Sequence, residues 1–239
     1  MTTTQEQGQR IVHLIRHGEK NPSTAAVDPN QLTEKGRRDA LAYGAGLRST
    51  PTLEVYCSTD AEGKPVDRSH DTGWYIRAGY AGLGYDDANA LFRSDSSERA
   101  QFVPGLDQRL QQRVPQRILN EYKANKITRA EAMEQCYQMI LGEAGTLEEQ
   151  KEIAQAVLLH LNTSISYARL GDPSSGIVLV GHDPVLGALR QLFHKDLHLK
   201  ELQPLDGLRI YEDRGLNTVF YVVGEHKGTL ISTAFPVGI

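Results

Sequence analysis

Short apolar runs alternate with helix-like segments along most of the chain. The runs that resemble buried parallel strands, each ending in polar residues or glycine, are 11–15, 53–58 and 176–180. Segments with helix-start signals and helical spacing begin at residues 33, 68, 146 and 185, and Ser69 is the predicted cap of the second. Runs that predict strands completing the sheet are 205–211, 218–223 and 229–235. This pattern predicts an α/β fold with a mostly parallel central sheet flanked by helices.

The middle of the chain, residues 85–147, has weaker periodicity and mixed charge. Its clearest predicted helices are 115–124 and 128–141. An insertion between two sheet strands would lie over the loops at the strand ends, so we interpret it as a helical cap insertion that closes over a substrate. An extra helical layer without that role is the alternative. The whole chain, 1–239, is predicted to form a single domain.

A segment that contains a histidine follows each of two predicted strands. Arg16, His17 and Gly18 follow the first strand, while His182 and Asp183 follow the strand at 176–180. In open α/β sheets, ligands bind beyond the carboxyl ends of the strands. We therefore expect both groups at one edge of the sheet.

Histidine and arginine together suit phosphoryl transfer. A neutral imidazole can attack phosphorus, provided that cations hold the phosphoryl group in line and neutralise its oxygens. The planar fork of arginine meets phosphate oxygens in pairs, and nearby cations disfavour protonation of the histidine. A polar turn, with Gly18 supplying an unusual backbone angle, is the alternative interpretation of these residues.

Four separated motifs resemble those of the histidine phosphatase superfamily, in its acid phosphatase and phytase branch. Residues 16–22, Arg-His-Gly-Glu-Lys-Asn-Pro, are similar to the R-H-G-x-R-x-P signature, with Lys20 in place of the second arginine. Residues 32–36 resemble the L-T-x-x-G segment that follows in this superfamily. Ser58, Arg68 and Thr72 resemble a strand-ending serine and an R-x-x-x-T segment, and His182-Asp183 resembles the C-terminal H-D motif.

The resemblance implies a phosphoglycerate mutase-like fold and a role for each site residue. His17 would be the nucleophile that forms a phosphohistidine, and Asp183 the proton donor to the leaving oxygen. The residues implied to bind the phosphoryl group, here called the phosphate clamp, are Arg16, Lys20, Arg68 and His182. Because Asp183 must be protonated in the first step, an acidic optimum or a raised pKa of this carboxyl is expected.

Composition and charge limit the kinds of partner and the cellular compartment that we expect for this chain. A net charge of -4 argues against a dedicated nucleic-acid binder, and no run of about 18 apolar residues predicts a membrane span. Two cysteines and a polar N-terminal segment predict a cytoplasmic protein.

The expected partner is a small-molecule phosphomonoester. The histidine spacing predicts no metal site, and no cofactor is expected. The sequence leaves the oligomeric state open, and also whether the substrate is a sugar, inositol, lipid or protein phosphate.

Other phosphate chemistries fit these residues less well. A cysteine phosphatase has an arginine after five residues that follow its cysteine, but after Cys57 this position is Gly63. The chain also contains no P-loop motif for nucleotide phosphates. A phosphoglycerate mutase-like phosphotransferase would need a glutamate acid, for which residues 107–112 offer glutamine and Glu98 is a weaker substitute. A non-catalytic phospho-ligand-binding protein is the third alternative, although both His17 and Asp183 are present.

Overall fold

A seven-stranded sheet forms the centre of the part of the chain that is described. The computed structural model describes residues 11–21, 31–58, 67–94, 101–103, 115–140, 144–149, 151, 175–181, 203–212, 219–226 and 229–236. The strands are β1 (Ile11–Arg16), β2 (Thr52–Ser58), β3 (Gln101–Val103), β4 (Ser175–Gly181), β5 (Gly207–Glu212), β6 (Val219–His226) and β7 (Thr229–Pro236). The helices are α1 (Glu34–Gly46), α2 (Asp67–Tyr80), α3 (Tyr85–Ser94), α4 (Gln116–Lys123) and α5 (Arg129–Ile140).

The sheet combines a parallel half with an antiparallel half. Its strand order is β3-β2-β4-β1-β5-β6-β7. Pairing is parallel from β3 to β1 and antiparallel from β1 to β7. Strands β1 to β4 and β6 therefore point one way, and β5 and β7 point the other. The predicted α/β fold class is confirmed, and the three C-terminal strands complete the sheet as expected.

The two central parallel strands, β1 and β4, are mostly apolar because both of their faces are buried. Ile15 of β1 and Val178 and Val180 of β4 pack in one core cluster with side chains of α1 and α2. Val12 and Leu14, which alternate with Ile15 along β1, are equally buried. This double burial explains why the strands read as continuous apolar runs in the sequence.

Helices α1 and α2 cross at two glycines that allow their backbones to touch. A Cβ atom at Gly44 of α1 would lie 1.9 Å from the carbonyl oxygen of Ile76. A Cβ atom at Gly79 of α2 would lie 1.9 Å from the carbonyl oxygen of Leu41. No side chain fits at either position, so the two helices are held at a fixed, short separation.

The predicted helix starts are partly confirmed and partly corrected. Thr33 is the N-cap of α1, and its Oγ1 accepts a hydrogen bond from the Gly36 N–H. Thr146 and Glu149 form the reciprocal hydrogen bonds of a capping box. Ser69 was the predicted cap of α2, which is wrong. The helix begins at Asp67, so Ser69 lies inside its first turn.

The segment 85–147 contains α3, α4 and α5, and also the short strand β3, which pairs with β2. The sequence pattern did not predict this strand, because three residues are too few to show an alternation of apolar and polar positions. The cap role of this segment, like the single-domain assignment, stays a prediction. The predicted helix at 185–193 lies outside the described residues. None of the described helices is long and apolar enough to cross a bilayer.

The α1–α2 crossing generates a prediction about stability. We expect Gly79→Ala to lower the free energy of unfolding by about 1–3 kcal/mol, because the added methyl group overpacks a backbone contact. Urea unfolding monitored by circular dichroism measures this difference. Gly46→Ala is the matched control, because a Cβ atom there meets nothing within 4 Å. Equal stability of the two variants would contradict the close contact.

Candidate active site

The ends of β1 and β4 are joined by a backbone hydrogen bond at the carboxyl edge of the sheet. Arg16 is opposite Gly181 in the parallel register, and the His17 N–H donates to the Gly181 carbonyl at 3.1 Å. Gly181 immediately precedes His182 and Asp183 in the sequence. His182 and Asp183 themselves lie outside the described residues. The fold thus brings the start of the H-D segment to the residue that was predicted to be the nucleophile.

The ring of His17 is held in one tautomer by its neighbour. Its Nδ1 lies 2.7 Å from the carbonyl oxygen of Gly18, and the ring is buried, with 3% of the residue exposed. A carbonyl oxygen can only accept a hydrogen bond, so Nδ1 must carry the proton. The lone pair of the neutral ring is therefore on Nε2. This is the nitrogen that can act as a nucleophile or a base.

Gly18 is held by close contacts with the start of α1. A Cβ atom at Gly18 would lie 3.0 Å from the carbonyl oxygen of Gly36, and one at Gly36 would lie 2.3 Å from the carbonyl oxygen of Glu19. That same Glu19 carbonyl accepts the N–H of Thr33 at 2.9 Å. Leu32 is fully buried beneath the loop. The motif at 32–36 is therefore a packing motif that fixes the backbone after His17.

Helix α2 contributes a second set of contacts through Thr72. The Gly18 N–H donates to Thr72 Oγ1 at 2.8 Å, and this hydroxyl donates to the Arg68 carbonyl at 2.7 Å. Arg68 is half-buried in the first turn of α2, four residues before Thr72. Residues four apart share one face of a helix, so Arg68 lies on the face of α2 that meets the His17 loop.

Two other predicted clamp residues, Arg16 and Lys20, lie close to His17 in the chain. Arg16 is the last residue of β1 and is buried, with 8% of the residue exposed. Its backbone N–H donates a hydrogen bond to the backbone carbonyl of Asp206 at 2.8 Å. Lys20 is half-buried and forms an isolated antiparallel bridge with Leu32. The roles of Arg16, Lys20 and Arg68 at a phosphate stay predictions, as does that of His182.

Neither cysteine has the properties of a nucleophile. Cys57 of β2 is 1% exposed, and burial raises the pKa of its thiol far above its ordinary value. Burial likewise raises the pKa of Cys136 to about 11. Reactive cysteines need a lowered pKa that gives a thiolate near neutral pH. Both thiols are therefore protonated near neutral pH, which agrees with the exclusion of cysteine phosphatase chemistry.

Other titratable groups lie beside the site on α2. The Nδ1 of His70 is 3.7 Å from Oδ1 of Asp71, and both side chains are mostly buried. Within the ranges that the structure describes, no group of three or more His, Cys, Asp or Glu side chains could hold a metal ion.

The sequence alone did not identify two residues that support the His17 loop, Thr72 and Gly181. Thr72 was recognised as part of a motif but given no role, and Gly181 was recognised only as the residue before His182. The spacing of Arg68 and Thr72 was the available signal, because an i, i+4 pair of arginine and threonine presents both to one surface. Nothing in the sequence reveals that Gly181 accepts the N–H of His17.

No protein-family model matches the chain, and no curated protein matches it. Among solved structures, it is similar to a phosphoglycerate mutase from Bacillus anthracis at 16% identity and a TM-score of 0.47, over 92% of this chain and 93% of the other.

Two further solved structures are also similar. A mycobacterial glucosyl-3-phosphoglycerate phosphatase complexed with VO3 matches at 15% identity and a TM-score of 0.44, over 84% of this chain and 92% of the other. A Hafnia alvei phytase in complex with tartrate matches at 13% identity and a TM-score of 0.42, over 92% of this chain and 85% of the other.

Burial of Cys57 generates a prediction about pH. The ordinary pKa of the thiol is 9.0 and that of the folded state is higher, so the unfolded chain loses this proton first as pH rises. The stability that comes from this difference is present below pH 9 and is lost above it, at a rate approaching about 1.4 kcal/mol per pH unit.

Urea unfolding at about pH 8 and about pH 10 measures this loss. We expect the wild type to lose more stability between the two pH values than Cys57→Ala, which lacks the thiol. Other groups that titrate in this range are common to both chains and cancel. Identical losses would show that the Cys57 thiol ionises as readily in the folded state as in the unfolded one.

Proposed function

We propose that this chain is a phosphomonoester hydrolase of the histidine phosphatase superfamily that acts through a phosphohistidine on His17. The observation that carries the proposal is the 2.7 Å hydrogen bond from His17 Nδ1 to the Gly18 carbonyl. It leaves Nε2 with the lone pair, at the sheet edge where ligands of α/β proteins bind. Gly181, which accepts the His17 N–H, is followed in the sequence by His182 and then by the proposed acid, Asp183.

In the first step, Nε2 of His17 attacks the phosphorus atom in line with the leaving oxygen. The P–N bond forms as the P–O bond to the substrate alcohol breaks, and Asp183 gives its proton to the leaving oxygen. The phosphate clamp, Arg16, Lys20, Arg68 and His182, neutralises the oxygens of the transferred group. Arginine has the better geometry for this task, and Lys20 supplies a point charge.

In the second step, a water molecule attacks the phosphohistidine. Asp183, now a carboxylate, takes a proton from this water, the P–N bond breaks and inorganic phosphate leaves. The Nδ1 proton stays on the ring throughout, because the Gly18 carbonyl holds it there. A phosphorylated ring that keeps this proton is cationic, and a cationic ring is a good leaving group. The geometry at Gly18 therefore serves both steps.

The role of His17 is tested by a variant without the imidazole. We expect His17→Ala to lose the release of nitrophenol from nitrophenyl phosphate and to lose an acid-labile, base-stable phosphoryl label. His226→Ala is the matched control, because it removes a histidine at the β6–β7 hairpin, two strands away from β1. Equal release by His17→Ala and the wild type would overturn the role of His17 as the nucleophile, and no release above the uncatalysed rate by either would favour a phospho-ligand-binding protein.

The role of Asp183 is tested by the leaving group. We expect Asp183→Asn to slow hydrolysis of an alkyl phosphate by about 10²–10⁴-fold, the range of general acid catalysis. Nitrophenyl phosphate should slow much less in the first step, because nitrophenolate leaves without a proton. The rate of phosphoenzyme formation measures this step for both substrates. Equal slowing of the two would contradict proton donation by Asp183.

The same assays separate hydrolysis from phosphotransfer. A hydrolase releases inorganic phosphate from the phosphohistidine to water, whereas a mutase-like phosphotransferase passes the phosphoryl group to a hydroxyl of its substrate. Release of one phosphate per alcohol formed supports hydrolysis. Recovery of an isomeric phosphomonoester, with little free phosphate, would favour the phosphotransferase instead.

A further inference from the structure

The hydroxyl group of Thr72 forms two hydrogen bonds that connect distant parts of the site. Its proton is donated to the Arg68 carbonyl at 2.7 Å, and its oxygen accepts the Gly18 N–H at 2.8 Å. Thr72 is fully buried, so water does not compete for either bond. Because a hydroxyl has one proton, donation to Arg68 leaves only lone pairs to face Gly18.

The first of these bonds is ordinary in helices, and the second is not. Threonine hydroxyls often donate to the carbonyl four residues earlier in their own helix. Gly18, in contrast, is 54 residues away in the sequence and belongs to the loop that carries His17. The helix itself does not require this contact, so the contact has its effect on the loop.

Gly18 is also the residue that fixes the tautomer of His17. Its carbonyl oxygen lies 2.7 Å from Nδ1 of the ring, and its α-carbon is packed against the Gly36 carbonyl. The Thr72 hydroxyl accepts the backbone N–H of this same Gly18. The Thr72 hydroxyl therefore contacts the same residue whose carbonyl oxygen contacts the His17 ring.

We propose that Thr72 is a positioning residue that couples the nucleophile to the phosphate clamp. Through Gly18 it holds the His17 ring with the lone pair on Nε2, and through the Arg68 carbonyl it fixes the turn that carries the Arg68 side chain. The proposal rests on the proposed function, in which His17 attacks phosphorus and Arg68 binds the phosphoryl group. Both groups must keep a fixed separation during in-line transfer, and one hydroxyl links their backbones.

Thr72→Val and Thr72→Ser form the matched pair that tests this proposal. Thr72→Val keeps the branched shape and removes the hydroxyl, which leaves the buried Gly18 N–H without its acceptor. We expect the rate of phosphoenzyme formation to fall about 100-fold, the effect of displacing a reacting group by about 1 Å. Inhibition by inorganic phosphate should change much less, because binding does not require in-line attack. Thr72→Ser should restore most of the rate.

A spectroscopic readout follows the tautomer without relying on activity. The ¹⁵N chemical shifts of the His17 ring, assigned by comparison with His17→Ala, distinguish Nδ1–H from Nε2–H. We expect Nδ1–H in the wild type and in Thr72→Ser, and a mixture of the two tautomers in Thr72→Val. If Thr72→Val fails to fold, Thr72→Ala removes the same hydroxyl with less bulk and takes its place.

The possible outcomes separate this proposal from the proposed function. An active wild type whose Thr72→Val variant keeps both its rate and its Nδ1–H tautomer overturns the role of Thr72 alone. A tautomer change without loss of rate, or a loss of rate without a tautomer change, also overturns it. A wild type that hydrolyses no phosphomonoester overturns the proposed function, and the positioning role with it.

Discussion

The site depends on the parallel pairing of β1 with β4. These strands are far apart in the sequence, yet their register places Arg16 beside Gly181, and the His17 N–H continues the ladder by donating to the Gly181 carbonyl. Because parallel strands end at the same edge of a sheet, the segments that follow β1 and β4 start side by side at that edge. A register shift of one residue would turn the side chains of β1 to the opposite face and separate them from the site.

Close backbone contact then converts this rough placement into a defined geometry. Gly18 packs on Gly36, Gly36 packs on the Glu19 backbone, and the Gly18 N–H reaches the Thr72 hydroxyl. Helix α2 can offer that hydroxyl because Gly44 and Gly79 let it approach α1 without intervening side chains. Glycines on three separate segments thus bring a strand end, a loop and two helix starts within hydrogen-bonding distance of one another.

Burial also decides which side chain can carry the chemistry. Removal from water disfavours charged forms, so the thiol of Cys57 stays protonated and loses its reactivity. In the proposed mechanism the nucleophile is instead the neutral imidazole of His17, whose Nδ1 proton the Gly18 carbonyl accepts. Burial thus disfavours Cys57 as a nucleophile, whereas the proposed role of His17 rests on its tautomer.

The sequence by itself determined the fold class, most element positions and the chemical character of the strand ends. Strand β1, helix α1 with its Thr33 cap and strand β4 follow from local patterns, because apolar runs and capping residues act over a few neighbours. Local patterns also suggested a cap at Ser69, where the chain instead enters α2 two residues earlier. Only the tertiary structure decided that Gly181 meets His17 and that Thr72 holds Gly18. These contacts join residues more than 50 positions apart, and their geometry is set by strand register and helix packing, which no local pattern records.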